Sequence, residues 1–212
     1  MITPLDEQTR LLARLSAAIT AADEPTTRRV IEEVAASVNG EAVEEVILQS
    51  YLFAGFPRTL NAARMWRAAS GVPAPTEDDG ASSSHFAEWE RDGEATCAVV
   101  YGRSYQLLRN NVRNLHPALD AWMITDGYGK VLSRPGLALR LRELCIVASC
   151  AAADQQRQLH SHLHGALNSG ATAEEVSATL DAVVDLVGVA RTKRYKALLA
   201  RVVSSRGASV VR

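Results

Sequence analysis

Apolar positions recur at helical spacing along nearly the whole chain, and short polar breaks separate one periodic stretch from the next. A first helix is expected over Leu5–Thr20, and a second over Thr26–Val38 with Asn39-Gly40 as its stop. A third follows over Ala42–Ala54. Gly55-Phe56-Pro57 breaks it, because proline lacks the amide donor and turns the preceding residue away from helix. A fourth covers Arg58–Ala69. Residues 72–84, VPAPTEDDGASSS, have a linker's composition. Ala95–Val112 is expected to be helical with a weak point at Gly102. Pro117 opens a short helix that Asp126-Gly127-Tyr128-Gly129 should end. Pro135 should start a helix reaching Ala152. The next covers Gln155–Asn168 with Asp154 as N-cap. Thr172-Ala-Glu-Glu175 is a capping box for a helix to about Leu186, and a last helix runs to about Val203. The one strand-like run, Cys97–Tyr101, is short. The expectation is an all-α fold.

The pattern also repeats. With Gly40 placed opposite Gly170, an offset of 130, GEAVEEV overlays GATAEEV without a gap, and Ala21-Ala22 and Leu11 overlay Ala151-Ala152 and Leu141. Two related helical units follow: residues 1–71, and residues 131–203. Residues 72–130 form the linker and connecting helices, and 204–212 a flexible tail. Two such units can pack their apolar faces as one bundle.

Composition narrows the function. A formal net charge of -1 gives no general attraction to nucleic acid or anionic membranes. No segment approaches the length of a membrane helix, and the opening residues carry no signal pattern, so the cytoplasm is the expected location. Three cysteines, Cys97, Cys145 and Cys150, without a Cys-x-x-Cys pair suggest reduced, buried thiols.

The densest chemistry lies in the second unit. Arg140, Arg142 and Glu143 share one helix, and His160, His162 and His164 the next. Glu143 precedes the apolar run LCIVASCAAA, so its helix must be buried and its carboxylate needs a partner. Opposed helices can bring it to His162. The pair then either moves a proton or merely satisfies two buried polar groups. At the 130 offset the first unit has Ala13 and Glu32 there, so the polar set is not duplicated. His160 and His164, four apart, have a metal-ligand spacing but no further ligand, which favours a surface or packing role; no metal and no cofactor is expected. Arg134, Arg140 and Arg142 are candidates for holding a carboxylate, against ordinary ion pairing. Tyr51, Tyr128, Asp126 and Asn61 are weaker candidates, Tyr51 because it precedes the Gly-Phe-Pro break.

The run LSRPGLALRLRELCIVASCAAADQQRQLHSHLHGALNSGATAEEVSATL, residues 132–180, resembles the carboxymuconolactone decarboxylase family of the AhpD-like superfamily. EEVILQSYLFAGFPRTLNA, residues 44–62, is similar to that family's closing segment. The resemblance implies an AhpD-like helical bundle. AhpD-type relatives carry a glutamate, two cysteines and a histidine at positions that fall here on Glu143, Gln155, Gln158 and His162. A glutamine amide forms no disulfide, which argues against thiol-based peroxide reduction. The decarboxylase branch implies a cofactor-free lyase for a small carboxylated lactone. In it His162 would carry the proton, Glu143 would orient it, and Arg142 or Arg134 would hold the substrate carboxylate. It also implies a homo-oligomer, a trimer in preference to a dimer. Two other readings stay open: an AhpD-like oxidoreductase without the usual cysteines, and a non-catalytic small-molecule-binding or scaffold protein.

Overall fold

The computed structural model describes residues 5–210, with the side chains of 207–210 outside that description. Among the described residues all regular structure is helical. The order is α1 (Glu7–Ala21), α2 (Glu24–Ala35), α3 (Gly40–Ser70), α4 (Phe86–Tyr101), α5 (Tyr105–Leu115), α6 (Pro117–Trp122), a π-helix (Met123–Leu132), α7 (Leu139–Ala152), α8 (Gln156–Asn168), α9 (Ala173–Ala182), α10 (Val184–Val187) and α11 (Val189–Val210). Asp6, Asp23 and Asn39 cap α1, α2 and α3 by accepting amide hydrogen bonds, and Thr172 with Glu175 closes the expected capping box on α9.

The core has two contiguous halves. Leu11, Leu15, Ile31, Val43 and Trp66 centre the first, and Ile146, Leu159, Leu163, Leu180 and Tyr195 the second. They meet along α1 and α7, where the buried hydroxyls of Ser16 and Ser149 lie 2.7 Å apart and Thr20 donates to Ser149 at 2.9 Å. Each unit's third helix reaches the other unit's first. Arg14 of α1 donates to the Ala182 carbonyl and to Asp185, while Gln49 of α3 donates to the Arg142 carbonyl. That reciprocity is the packing of a repeated helical unit.

The register of the repeat differs from the ungapped offset of 130. Gly40 opens α3 and Ala173 opens α9, 133 residues apart (40 to 173). Gly55 and Gly188 have the same spacing (55 to 188), both with positive φ and extended ψ between two helices. Thr59 and Thr192 then bond back to the carbonyls of those glycines, each at 3.1 Å. The matching GEAVEEV and GATAEEV strings mislead because Gly40 is already helical, whereas Gly170 is a left-handed connector ahead of the Thr172 cap. In α2 and α8 the buried faces align at 132 (30 to 162), so Val30, Ile31 and Val34 stand opposite His162, Leu163 and Ala166. His162 therefore has Val30 as its counterpart, not Glu32.

Other boundaries also differ. The Asp126–Gly129 stretch does not end a helix; it runs through a π-helix, a wider coil that keeps the backbone bonded. Its Gly129 serves close approach instead. A Cβ on Gly129 would strike the Trp89 backbone, and one on Gly93 would strike the Ile124 carbonyl, so α4 and the π-helix touch backbone to backbone. α7 starts at Leu139 rather than Pro135, because the carbonyls of Arg134 and Leu137 turn aside to accept from the Arg142 guanidinium. Asp154 is not a cap for α8. It ends α7 in a left-handed conformation (φ 54°), with Gln155 N–H bonding to the Cys150 carbonyl and its own N–H to Ala151, while its carboxylate takes Arg194 and Tyr195. Finally, α11 continues through 204–210, beyond the expected end at Val203.

Candidate functional site

Helix α7 is enclosed on all sides, as its run of small and branched apolar residues predicts, and it carries Glu143 into the interior with no exposed surface. α8 packs against it with His162, Leu163 and Ala166 inward. His162 Nδ1 lies 2.9 Å from Glu143 Oε2. Gly165, one turn on, makes room for that contact: a Cβ there would overlap Oε2 and come within 2.8 Å of Val100 Cγ1. The other carboxylate oxygen, Oε1, is buried without a hydrogen-bond partner. An unmet buried acceptor costs about 1–3 kcal/mol, and among the described residues the imidazole is the group that relieves this carboxylate.

His162 also lines a cavity of about 580 Å³. The walls come from four places. The end of α3, just before the Gly55 break, supplies Tyr51, Leu52 and Phe53. The end of α4 supplies Tyr101, α6 supplies Leu119 and Trp122, and the π-helix supplies Asp126 and Tyr128. Phe53 meets the His162 ring edge to face with centroids 5.8 Å apart. With Nδ1 committed to Glu143, Nε2 is the nitrogen left for a ligand.

Three phenols face this space, and all are held protonated. Burial raises Tyr51, helped by the negative charge of Asp126; burial pushes Tyr101 up to about 12 and lifts Tyr128 well above its ordinary value. They are therefore hydrogen-bond donors at neutral pH. Among the described residues, Asp126 and His162 are the ionisable groups of the wall apart from these phenols, and no arginine or lysine lines it.

The three arginines lie elsewhere. Arg142 is fully buried on the far side of α7, bonded to Glu45 at 2.7 Å and to two carbonyls. Arg134 is held by Glu45 and Asp78 beside a separate cavity of about 700 Å³ that Glu41, Glu44 and Glu77 also line, a setting hostile to a carboxylate. Arg140 pairs with Glu175 at 2.5 Å. Asn61 lies in a further cleft near Asp23 and Arg58. The structure thus gathers Glu143, His162, Tyr51, Tyr128 and Asp126, and leaves Arg134, Arg140, Arg142 and Asn61 outside. Phe53, Tyr101 and Trp122 carried no sequence signal beyond aromatic character.

The thiols are suppressed as nucleophiles. Cys97, Cys145 and Cys150 are all buried and unpaired, and burial pushes the first two up to about 12 and the third higher still. A buried thiol of this kind is a poor nucleophile.

Residues 118–201 match the Carboxymuconolactone decarboxylase family. Over that part of its length the chain is a distant homologue of the family. The match takes in the π-helix, Glu143 and His162, but not Tyr51 or Tyr101. It also contains the segment 132–180 that carries the resemblance, and leaves 44–62 outside. Two curated proteins are similar over more of the chain. Peroxisomal protein 2 of Schizosaccharomyces pombe is 28% identical across 75% of this chain and 74% of its own length. Peroxisomal protein 2 of Saccharomyces cerevisiae is 28% identical across 63% of this chain and 56% of its own. The carboxymuconolactone decarboxylase family includes decarboxylases, and this chain carries its helical architecture. Among the described residues no helix is long and apolar enough to cross a membrane.

Proposed function

We propose that the chain is a carboxymuconolactone-decarboxylase-like lyase that acts on a small carboxylated lactone or related acid by cofactor-free proton transfer. The observation that carries this reading is the Glu143–His162 contact opening onto a cavity with an aromatic wall. Glu143 fixes the imidazole so that Nε2 points to the ligand, and His162 delivers the proton there. The site lacks the arginine clamp expected for the substrate carboxylate. An apolar wall suits the reaction in a different way: it withholds solvation from a localised carboxylate more than from the delocalised anion left after carbon dioxide departs. Tyr51, Tyr101 and Tyr128 are the donors for the lactone carbonyl as charge builds on it.

A homo-oligomer belongs to the same proposal, a trimer before a dimer. α5 buries no residue, and Leu107, Leu115, Leu119 and Trp122 leave an apolar face at the cavity's edge, which a second copy would cover. The cytoplasm is the proposed location; the yeast relatives' names attach them instead to the peroxisome.

The test is decarboxylation of 4-carboxymuconolactone by the intact protein, with His162→Ala and Glu143→Gln beside it. Loss of the general acid should lower kcat by about 10²–10⁴-fold. Both variants should keep the helical circular dichroism of the parent. Absence of turnover by the intact protein at millimolar substrate, with the fold confirmed, overturns the lactone-lyase reading. Saturable binding of the lactone without turnover would favour a binding protein.

A further inference from the structure

Glycine costs a helix more than any residue but proline, so a glycine inside a helix needs a structural reason. Among the described residues most have one. A Cβ on Gly93, Gly129 or Gly165 would strike the Ile124 carbonyl, the Trp89 backbone or the Glu143 carboxylate, and Gly55 has a positive φ that side chains disfavour. Gly127, inside the π-helix, has neither reason. Its φ lies outside the left-handed region. Beyond its own stretch of helix, a Cβ there would meet only the Trp122 carbonyl within 4 Å, at 3.9 Å, an ordinary contact.

The space beside Gly127 is the cavity of about 580 Å³ that His162 also lines. Met123, Gly127 and Leu132 line it at spacings of four and five residues (123 to 127, 127 to 132), which the wider π-helical coil places on one face. Gly127 is the one of these three without a side chain. Apart from the phenols, Asp126 and His162, the wall is apolar, with Leu52, Phe53, Leu119, Trp122, Met123 and Leu132. A cavity of this volume falls in the range that holds drug-sized ligands, and a bare carboxylated lactone ring would leave much of it unfilled. The missing side chain thus enlarges the apolar part of a cavity that the reacting ring does not need in full.

We propose that Gly127 is a specificity-determining residue, which leaves room for an apolar substituent on the lactone or acid that His162 protonates. The substituent lies along the face of the π-helix, where Leu119, Trp122 and Met123 remove it from water. The helix bears the cost of a glycine at 127 because a side chain there would occupy the substituent's place. The identity of the reacting group rests on the proton-transfer reading above; the room at Gly127 does not.

The experiment is isothermal titration calorimetry of the whole chain with γ-butyrolactone, γ-hexalactone, γ-octalactone and γ-decalactone. None carries a carboxyl group, so binding is read apart from turnover. Affinity should rise about fourfold per methylene until the cavity is filled. Gly127→Leu should weaken γ-decalactone at least about tenfold and flatten the series, while the parent's Tm and sedimentation coefficient are retained. Val189→Leu, exposed on α11 and outside the cavity, should leave the series unchanged. Affinity independent of chain length, or no saturation at millimolar lactone, overturns the proposal. So does a Gly127→Leu series that matches the parent's. A fall in Tm would assign the glycine to packing, and a changed sedimentation coefficient would assign the space to a second copy; either result overturns it as well. Alkyl lactones that bind as expected, with no turnover of 4-carboxymuconolactone, would sink the lyase reading alone.

Discussion

Gly165→Ala tests whether Glu143 and His162 are held by shape. Gly165 is an interior residue of α8 with ordinary helical φ, so alanine there should by propensity alone stabilise the helix by about 1 kcal/mol. The structure predicts the opposite sign. The added methyl would overlap Glu143 Oε2 and stand 2.8 Å from Val100 Cγ1, and both neighbours are fully buried. Neither can swing into solvent, so α8 must move off α7 and α4. Overpacking of this kind costs about 1–3 kcal/mol. Stretching the buried Glu143–His162 bond adds about 1.5–3 kcal/mol for a charge-assisted pair. Set against the propensity gain, the net is a loss of about 1.5–5 kcal/mol. For a chain of this size that lowers Tm by about 3–20 °C.

A double-mutant cycle separates this from a generic packing defect. In a Glu143→Ala background the contact with Oε2 is gone and only Val100 resists, so the cost of Gly165→Ala should fall by about 1 kcal/mol or more. Urea unfolding followed by circular dichroism measures all four corners. An increase in stability for the single variant, or equal costs in the two backgrounds, would refute the argument.

Two further perturbations follow from ion pairs outside the site. Asp120, nearly buried, ties α6 to α5 by accepting from Arg109 at 2.5 Å and Arg113 at 2.6 Å, and Arg109 first and Arg113 second hold its carboxyl below the usual range. Its folded value is depressed, so its contribution is present above the unfolded carboxylate pKa of about 4 and lost as pH falls through the folded value. The Tm gap between parent and Asp120→Asn should therefore be open at pH 6 and close progressively below about pH 4; a gap independent of pH would count against the pairing. Arg142→Met leaves Glu45 buried beside Arg134 alone and should cost about 3–5 kcal/mol in urea unfolding, whereas the paired change Arg142→Met with Glu45→Leu should recover most of it. A double variant no more stable than the single one would show that Glu45 matters for other reasons.

The helices and the Glu143–His162 pair were legible in the sequence because both follow from short-range rules. Period-3.6 burial placed the faces, and an acid beside LCIVASCAAA had to find a partner within one helix spacing. The partners of the arginines are not legible by such rules. Arg142 sits on a helix that the sequence buries, but the acid that satisfies it, Glu45, lies 97 positions away on α3, and only packing brings the two together. Asp126-Gly-Tyr-Gly reads as a stop because glycine is usually a conformational signal; here Gly129 is used for its size, against α4. Tyr101 joins the cavity only once α4 and the π-helix have closed on each other.

The shifted repeat register explains why one chain with two related units holds one such pair. Where the second unit has His162, the first has Val30, buried on the same face of α2. A histidine there would need its own buried acid, with the desolvation that entails, whereas valine needs only apolar neighbours. The first unit keeps what the second lacks. Its third helix ends in Tyr51, Leu52 and Phe53 ahead of Gly55, while the matching positions before Gly188 are Val184, Asp185 and Leu186. The reciprocal packing that sets each unit's third helix against the other unit's first carries those aromatics to the edge of α7 and α8, beside His162. The two units thus differ in what they bring to the cavity: the second supplies the ionisable pair, and the first supplies part of the aromatic wall beside it.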